Sequence, residues 1–287
     1  MRIISVVDNM SGTSFNYSKL VKRLDRPDRH FLSEHGLSIL IETDEGKKVL
    51  VDTGASPMVF GHNLSLLGFK PSDIDAVFIS HGHYDHMGGL VSMIDAGVPI
   101  YGDPKVFSSK RFAVAVDGTK RDISAPKELI EALPRAKLNL SSSSVEIVPG
   151  VKTSGQIIRE SKFEVQDRFL KEEEPGCQVN DEVFEEQALF LQTKKGLVIV
   201  SGCGHPGIVN VVMQAKRSFD KRIYMVIGGF HLSSANKDRI LKTMDGLKAL
   251  GIDRIAPTHC TGFEAMKMMS DRFVGFDMLP SGSEITL

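Results

Sequence analysis

Residues 81–86 read His-Gly-His-Tyr-Asp-His, which puts three of the chain's nine histidines and one aspartate within six positions. No other stretch constrains the chain so strongly. Four ligand-type side chains at this spacing point to a metal site, and imidazole with carboxylate suits Zn²⁺, Fe or Mn²⁺. The preceding segment, "DAVFIS" (75–80), is apolar enough for a strand buried on both faces. In an extended segment, residues two apart point the same way, so His81 and His83 can approach one ion. The chain then turns towards a helix, and Asp85 and His86 can swing back to meet a second ion. Gly82 lets the backbone come close, and Gly88-Gly89 are expected to permit an unusual turn into that helix.

The remaining histidines follow the same placement. His205 follows the predicted strand "LVIVSG" (197–202), His231 follows "IYMVIGG" (223–229), and His259 closes "RIAPTH" (254–259). Six of nine histidines therefore sit just past the carboxyl ends of predicted buried strands, where ligand sites form in α/β sheets. The candidate metal ligands are His81, His83, Asp85, His86, His205 and His259. Asp85 is also the candidate catalytic group, able to hold or deprotonate a water. His231 is open between ligand, contact to a substrate phosphate and donor behind a ligand. Glu34 and His35 precede the strand "LSILIE" (37–42) and face either a substrate pocket or a surface turn. His30 and His62 read as surface residues, and Cys260 as packing.

The chain's 287 residues, 41% of them hydrophobic, are enough to bury a large core. The first third reads as strands at 2–7, 37–42, 47–52 and 75–80, with "TDEG" (43–46) as a hairpin turn. The last third predicts a hairpin from 188–193 to 197–202, a helix over 206–219 with Pro206 near its start, and a helix over 235–251 stopped by Gly251. The stretch 101–185 is expected to be a variable insert or flap. Within it "SSSS" (141–144) and "KEEEPG" (171–176) read as solvated loop, and 145–155 as a hairpin with a Pro-Gly turn.

Lys+Arg number 35 against 36 Asp+Glu, without a basic patch carrying aromatics, so no nucleic-acid partner is expected. No apolar run approaches a membrane span, and the N-terminal apolar run is too short for a signal peptide, so no membrane association is expected. Three cysteines without paired spacing fit a reducing, cytoplasmic compartment. Small negatively charged ligands remain possible, because a local site can be positive on a near-neutral chain, and the charged middle region could serve as a lid or a homodimer contact.

His-x-His-x-Asp-His after a buried strand, with "VLVDTG" (49–54) ahead of it, resembles the metallo-β-lactamase superfamily. The resemblance implies one αββα sandwich over 1–287: two mixed β-sheets flanked by helices, with a dinuclear site at one edge. It implies two divalent ions, Zn²⁺ first, with Mn²⁺, Fe or Mg²⁺ as alternatives. It also implies that Asp52 orients a metal-bound histidine from behind. "EHGLS" (34–38), "SGCGHPGIVN" (201–210), "GGFHL" (228–232) and "PTHCTG" (257–262), in this order, are similar to the dihydropterin-aminobenzene-phosphate synthase-like branch. That branch implies transfer of a pterin-methyl group with release of diphosphate, and so a small, phosphorylated substrate as partner. Metal-dependent hydrolysis of an ester, lactone or phosphodiester is the alternative, and a non-catalytic metal-dependent sensor the third. One departure stands out: most of the superfamily has Gly-Asp where this chain has Gly202-Cys203. Cys203 is then either a thiolate ligand or a small buried residue behind the ligands, and His205 binds in its own right.

Overall fold

The structure is a computed structural model and describes all residues except 13, 14, 16, 25, 27 and 166. Strand Ser38–Glu42 shows why the chain builds four layers. Ile39 and Ile41 point to one face and Leu40 to the other, and all three are fully buried. A strand buried on both faces must be covered on both. On the Leu40 side the cover is helical. Leu50, Val77, Ile79 and Ile100 from neighbouring strands pack there with Phe60 and Leu64 of α1 (Pro57–Leu66), Leu90 and Met93 of α2 (Leu90–Asp95) and Leu129 of α3 (Lys127–Ala132). On the Ile39 side the cover is a second sheet, with Phe78 and Val51 meeting Leu191, Val198, Val200 and Ile227. The far face of that second sheet carries Ile199 and Val226 against α4 (Ile208–Ser218), α5 (Lys237–Ala249) and α6 (Phe263–Arg272). The result is the αββα sandwich.

The first sheet has eight strands, in the order 21–23, 283–286, 2–7, 38–42, 48–51, 76–78, 99–102 and 137–140. The second has six, in the order 146–148, 151–153, 189–193, 196–201, 223–229 and 254–258. Parallel pairing within both sheets aligns the carboxyl ends of 48–51 with 76–78, and of 196–201 with 223–229 and 254–258. Those aligned ends deliver the histidines to one edge. No helix among the described residues is long and apolar enough to cross a membrane.

The predicted hairpins at 43–46, 145–155 and 188–202 are all present. The helix expected over 206–219 begins at Ile208, because Gly207, at φ 96°, caps it and leaves Pro206 outside. Helix α5 is capped by Asn236, whose side chain accepts from Arg239 N, with Gly251 at φ 70° past its end. The largest departure is in the middle of the chain. "KEEEPG" is not a loop: Phe169–Glu174 and Cys177–Asn180 form a hairpin that joins Lys110–Val114 and Lys120–Asp122 in a third, four-stranded antiparallel sheet. Its charged residues lie largely on solvent-facing positions, which hid the alternation of a strand. The "SSSS" segment remains irregular.

Phe78 is fully buried where the two large sheets meet. Phe78→Ala is expected to cost ~3–5 kcal/mol, read as a lower denaturant midpoint. A shift below about 1 kcal/mol would mean that the sheet interface is not the packed core.

Candidate metal centre

The turn after strand Ala76–Phe78 is built around Asp52, which follows the neighbouring strand. Asp52 has φ 57°, a conformation uncommon for a residue with a side chain. Its Oδ1 accepts from Ser80 N at 2.8 Å and its Oδ2 from Ser80 Oγ at 2.7 Å. The same Oδ2 lies 2.6 Å from His86 Nδ1, and Ser80 Oγ lies 2.9 Å from His81 Nδ1. One carboxylate thus orients His86 directly and His81 through a hydroxyl, leaving both Nε2 atoms to face the site. Asn9 does the same for the last histidine: its Oδ1 lies 2.8 Å from His259 Nδ1.

Those nitrogens converge. His81 Nε2 and His83 Nδ1 are 3.0 Å apart. The ligand atoms of His81, His83 and His205 lie within 4.8 Å of one another, as do those of His35, Asp85 and His259 and those of His81, His86 and Cys203. Asp85 Oδ2 is 3.3 Å from His259 Nε2 and 3.3 Å from His35 Nε2. Cys203 Sγ is 3.2 Å from His86 Nε2. All six residues expected as ligands are buried and share this cluster.

Charge divides the cluster in two. Burial, with repulsion from neighbouring imidazoles, holds His81, His83 and His205 well below the usual histidine range, so all three are neutral lone-pair donors. Among the described residues, His83 Nε2, both nitrogens of His205 and His231 Nδ1 are buried without a hydrogen-bond partner. Around His86 the balance is negative: burial opposes its charge, but Asp52 and Asp85 outweigh this and push it up to about 9. Burial alone would raise the Asp85 carboxyl; His86 and His259 override it and hold it well below the usual carboxylate range. Orphaned neutral imidazoles beside surplus carboxylate are what a divalent cation would satisfy, so the donor set fits a metal centre.

The other candidates divide. His35 is half-exposed but joins Asp85 and His259, and its Nδ1 lies 3.2 Å from Asn9 Nδ2. His231, at φ 46°, lines the pocket behind His205, with ring centroids 4.2 Å apart, but belongs to none of the ligand groups. Glu34 is turned away from the pocket. Its Oε1 accepts from Ala55 N at 2.8 Å and Ser56 N at 3.0 Å, and its Oε2 from Ser56 Oγ at 2.6 Å, so its charge serves the start of α1. Gly88 and Gly89 do not have positive φ as an unusual turn would need. A Cβ at Gly88 would lie 2.2 Å from Ala55 C, and one at Gly89 2.2 Å from the Phe60 ring, so close approach is what demands glycine.

Three further groups were not singled out from the sequence. Glu186 accepts from Cys203 N, Gly204 N and His205 N at 3.0, 2.6 and 2.7 Å, and so shapes the loop that carries His205. Burial pushes its carboxyl up to about 7. Asp8 accepts from His259 N at 2.8 Å, and burial raises it to about 6. Arg111, almost fully buried, pairs with Asp181 at 2.6 Å and Glu185 at 2.8 Å, tying the third sheet to the Gly82 turn. Asp8 and Asn9 directly follow a buried strand, as the histidines do, and that signal was available in the sequence.

The cluster forms the floor of a cavity of about 200 Å³. Phe169 of the third sheet roofs it, its ring centroid 5.3 Å from His83 and 5.1 Å from His205.

Residues 34–119 match the metallo-beta-lactamase superfamily. The chain is 39% identical, over 89% of its length and 90% of the relative's, to the 7,8-dihydropterin-6-methyl-4-(β-D-ribofuranosyl)-aminobenzene-5′-phosphate synthase of Methanocaldococcus jannaschii. It is 33% identical, over 84% of its length and 90% of the relative's, to an uncharacterized protein of the same archaeon. Among solved structures it superposes on Tm1679, described as a metal-dependent hydrolase of the β-lactamase superfamily, with a TM-score of 0.81 and 31% identity, covering 100% of this chain and 99% of that one.

Replacing Asp52 by Asn keeps the size and removes the charge behind His86 and His81. Metal affinity, measured by competition with a chromophoric chelator, is expected to fall ~10–100-fold with the circular dichroism spectrum retained. Unchanged affinity would show that Asp52 has only a structural role.

Proposed function

Because this chain belongs to the metallo-β-lactamase superfamily, we propose that it is a metal-dependent transferase of the kind its synthase relative represents. It would join a dihydropterin-methyl donor to a phosphorylated aminobenzene acceptor and release diphosphate. The observation that carries this reading is the 39% identity spread over 89% of the chain. His81, His83 and His205 would hold one divalent ion, and Asp85, His86 and His259 a second, with Cys203 and His35 at its margin. Bound there, the ions would supply Lewis-acid stabilisation of negative charge on phosphoryl oxygens.

The chain's own residues then have defined tasks. Asp52, Ser80 and Asn9 fix the ring orientations and keep the Nε2 lone pairs of His81, His86 and His259 facing inwards. Asp85, a poor proton acceptor because His86 and His259 stabilise its charge, serves as a fixed negative group rather than a base. Phe169 closes the pocket from above and keeps water from the reacting carbon. In the transfer the acceptor nitrogen forms a bond to the pterin methylene carbon. The carbon–oxygen bond to diphosphate breaks, the leaving oxygen keeps the electron pair, and the nitrogen releases a proton. Hydrolysis is the second reading, favoured by the likeness to Tm1679. It would use the same floor with water in the place of the acceptor.

Protein loaded with Zn²⁺, Mn²⁺ or Mg²⁺ is expected to release diphosphate from dihydropterin pyrophosphate only when the aminobenzene acceptor is present. Asp85→Asn is expected to lower that rate ~10²–10³-fold. Acceptor-independent release, or turnover of a lactone or phosphodiester alone, would replace the transferase with the hydrolase.

A further inference from the structure

The cavity over the histidines does not end at Phe169. It shares Ala113, Arg121, Asp167 and Phe169 with an outer cleft of about 640 Å³. Three of these residues form one row across the third sheet: Phe169 is paired with Ala113, and Ala113 with Arg121. Directly paired residues project from the same face of a sheet. The row therefore grades outwards from the metal floor, as an aromatic ring over His83 and His205, then a methyl group that leaves space, then a guanidinium. Two strand spacings separate its ends, about 10 Å.

The cationic end is uncommitted. Among the described residues the Arg121 guanidinium forms no hydrogen bond or ion pair, and the residue is exposed. Arg168 lines the same cleft and is likewise exposed. The cleft's one carboxylate makes no ion pair with them: Asp167 Oδ1 accepts from Ser234 Oγ at 2.6 Å, and Oδ2 faces His231 Nδ1 at 3.8 Å. Arg111, on the same strand as Ala113, offers a contrast, since it is buried and ion-paired with both Asp181 and Glu185. The sheet thus keeps one arginine for structure and leaves another facing open space at the pocket mouth.

We propose that this row is the acceptor subsite, with Arg121 reading a terminal phosphate about 10 Å from the end that reacts above the histidines. The ligand class is an elongated molecule with a flat ring at one end, which fits against Phe169 and Ala113, and a phosphomonoester at the other. A guanidinium matches a phosphate through paired hydrogen bonds, and a bound phosphate would be its main partner at this mouth. Arg168 adds attraction without being placed in the row. The proposal rests on the transferase reading for the identity of the acceptor, but not for the geometry of the cleft.

The test uses binding without the donor, so it is independent of turnover. Metal-loaded protein is titrated calorimetrically with 4-(β-D-ribofuranosyl)aminobenzene 5′-phosphate and with the same molecule lacking its phosphate. The wild type is expected to prefer the phosphorylated probe by about tenfold or more. Arg121→Ala is expected to bring the two affinities within about threefold, Arg121→Lys to restore part of the preference, and metal content to stay unchanged in both. A preference that survives Arg121→Ala would overturn the assignment, because the phosphate would then be held elsewhere, the metal floor included. A wild type that does not discriminate would overturn it as well. A preference lost in Arg121→Ala, in a protein that releases no diphosphate, would leave this subsite standing and remove the transferase reading.

Discussion

Among the described residues, four imidazole nitrogens, from His83, His205 and His231, are buried at one edge of the sandwich without a hydrogen-bond partner. Leaving a polar group buried and unpaired costs on the order of 1–3 kcal/mol each. A chain does not gather such groups at one point unless something there satisfies them. Carboxylates lie beside them in surplus, with Asp85 and Asp52 both close to His86. The cluster is therefore electron-rich in both its neutral and its charged parts. A cation resolves both at once.

Holding the cluster together requires the backbone to give way locally. Four non-glycine residues among those described have φ in the left-handed region: Asp52, Val183, His231 and His259. Three of them end strands at the site, and the fourth lies just ahead of Glu185 and Glu186. Such conformations cost of order 1–3 kcal/mol and persist where the surroundings over-determine them. Here buried carboxylates do that. Asp8 binds the amide of His259, Asp52 that of Ser80, and Glu186 those of three successive residues from Cys203 to His205. The glycines complete the packing: a Cβ at Gly202 would lie 2.1 Å from Ser80 Oγ, so the two metal loops could not meet with any other residue there.

How much of this was legible in the sequence depends on the range of the interaction. The ligands were legible because His-x-His-x-Asp-His is local and because His205, His231 and His259 each follow an apolar run of unmistakable strand character. Asp52 was legible through resemblance, as part of "VLVDTG". Asp8 carries the same strand-end signal, but the loop it braces was not legible, and Glu186 was not legible at all, because a buried acid that binds backbone amides carries no spacing rule. The third sheet was hidden for a different reason. Its strands, such as "FLKEEE" and "CQVN", bury little, so their alternation is masked by lysine and glutamate. That sheet nonetheless provides the roof and the mouth of the pocket. The parts that enclose the pocket from above are thus the parts least marked by hydrophobic pattern.

The central claim is that the histidine cluster exists to hold divalent metal, and elemental mass spectrometry of gel-filtered protein tests it most directly. The wild type is expected to retain about two ions per chain, as the proposed two-metal floor requires. The double variant His81→Ala with His83→Ala, folded by circular dichroism, is expected to lose at least one of them. Retention of the wild-type stoichiometry by that variant would contradict the account.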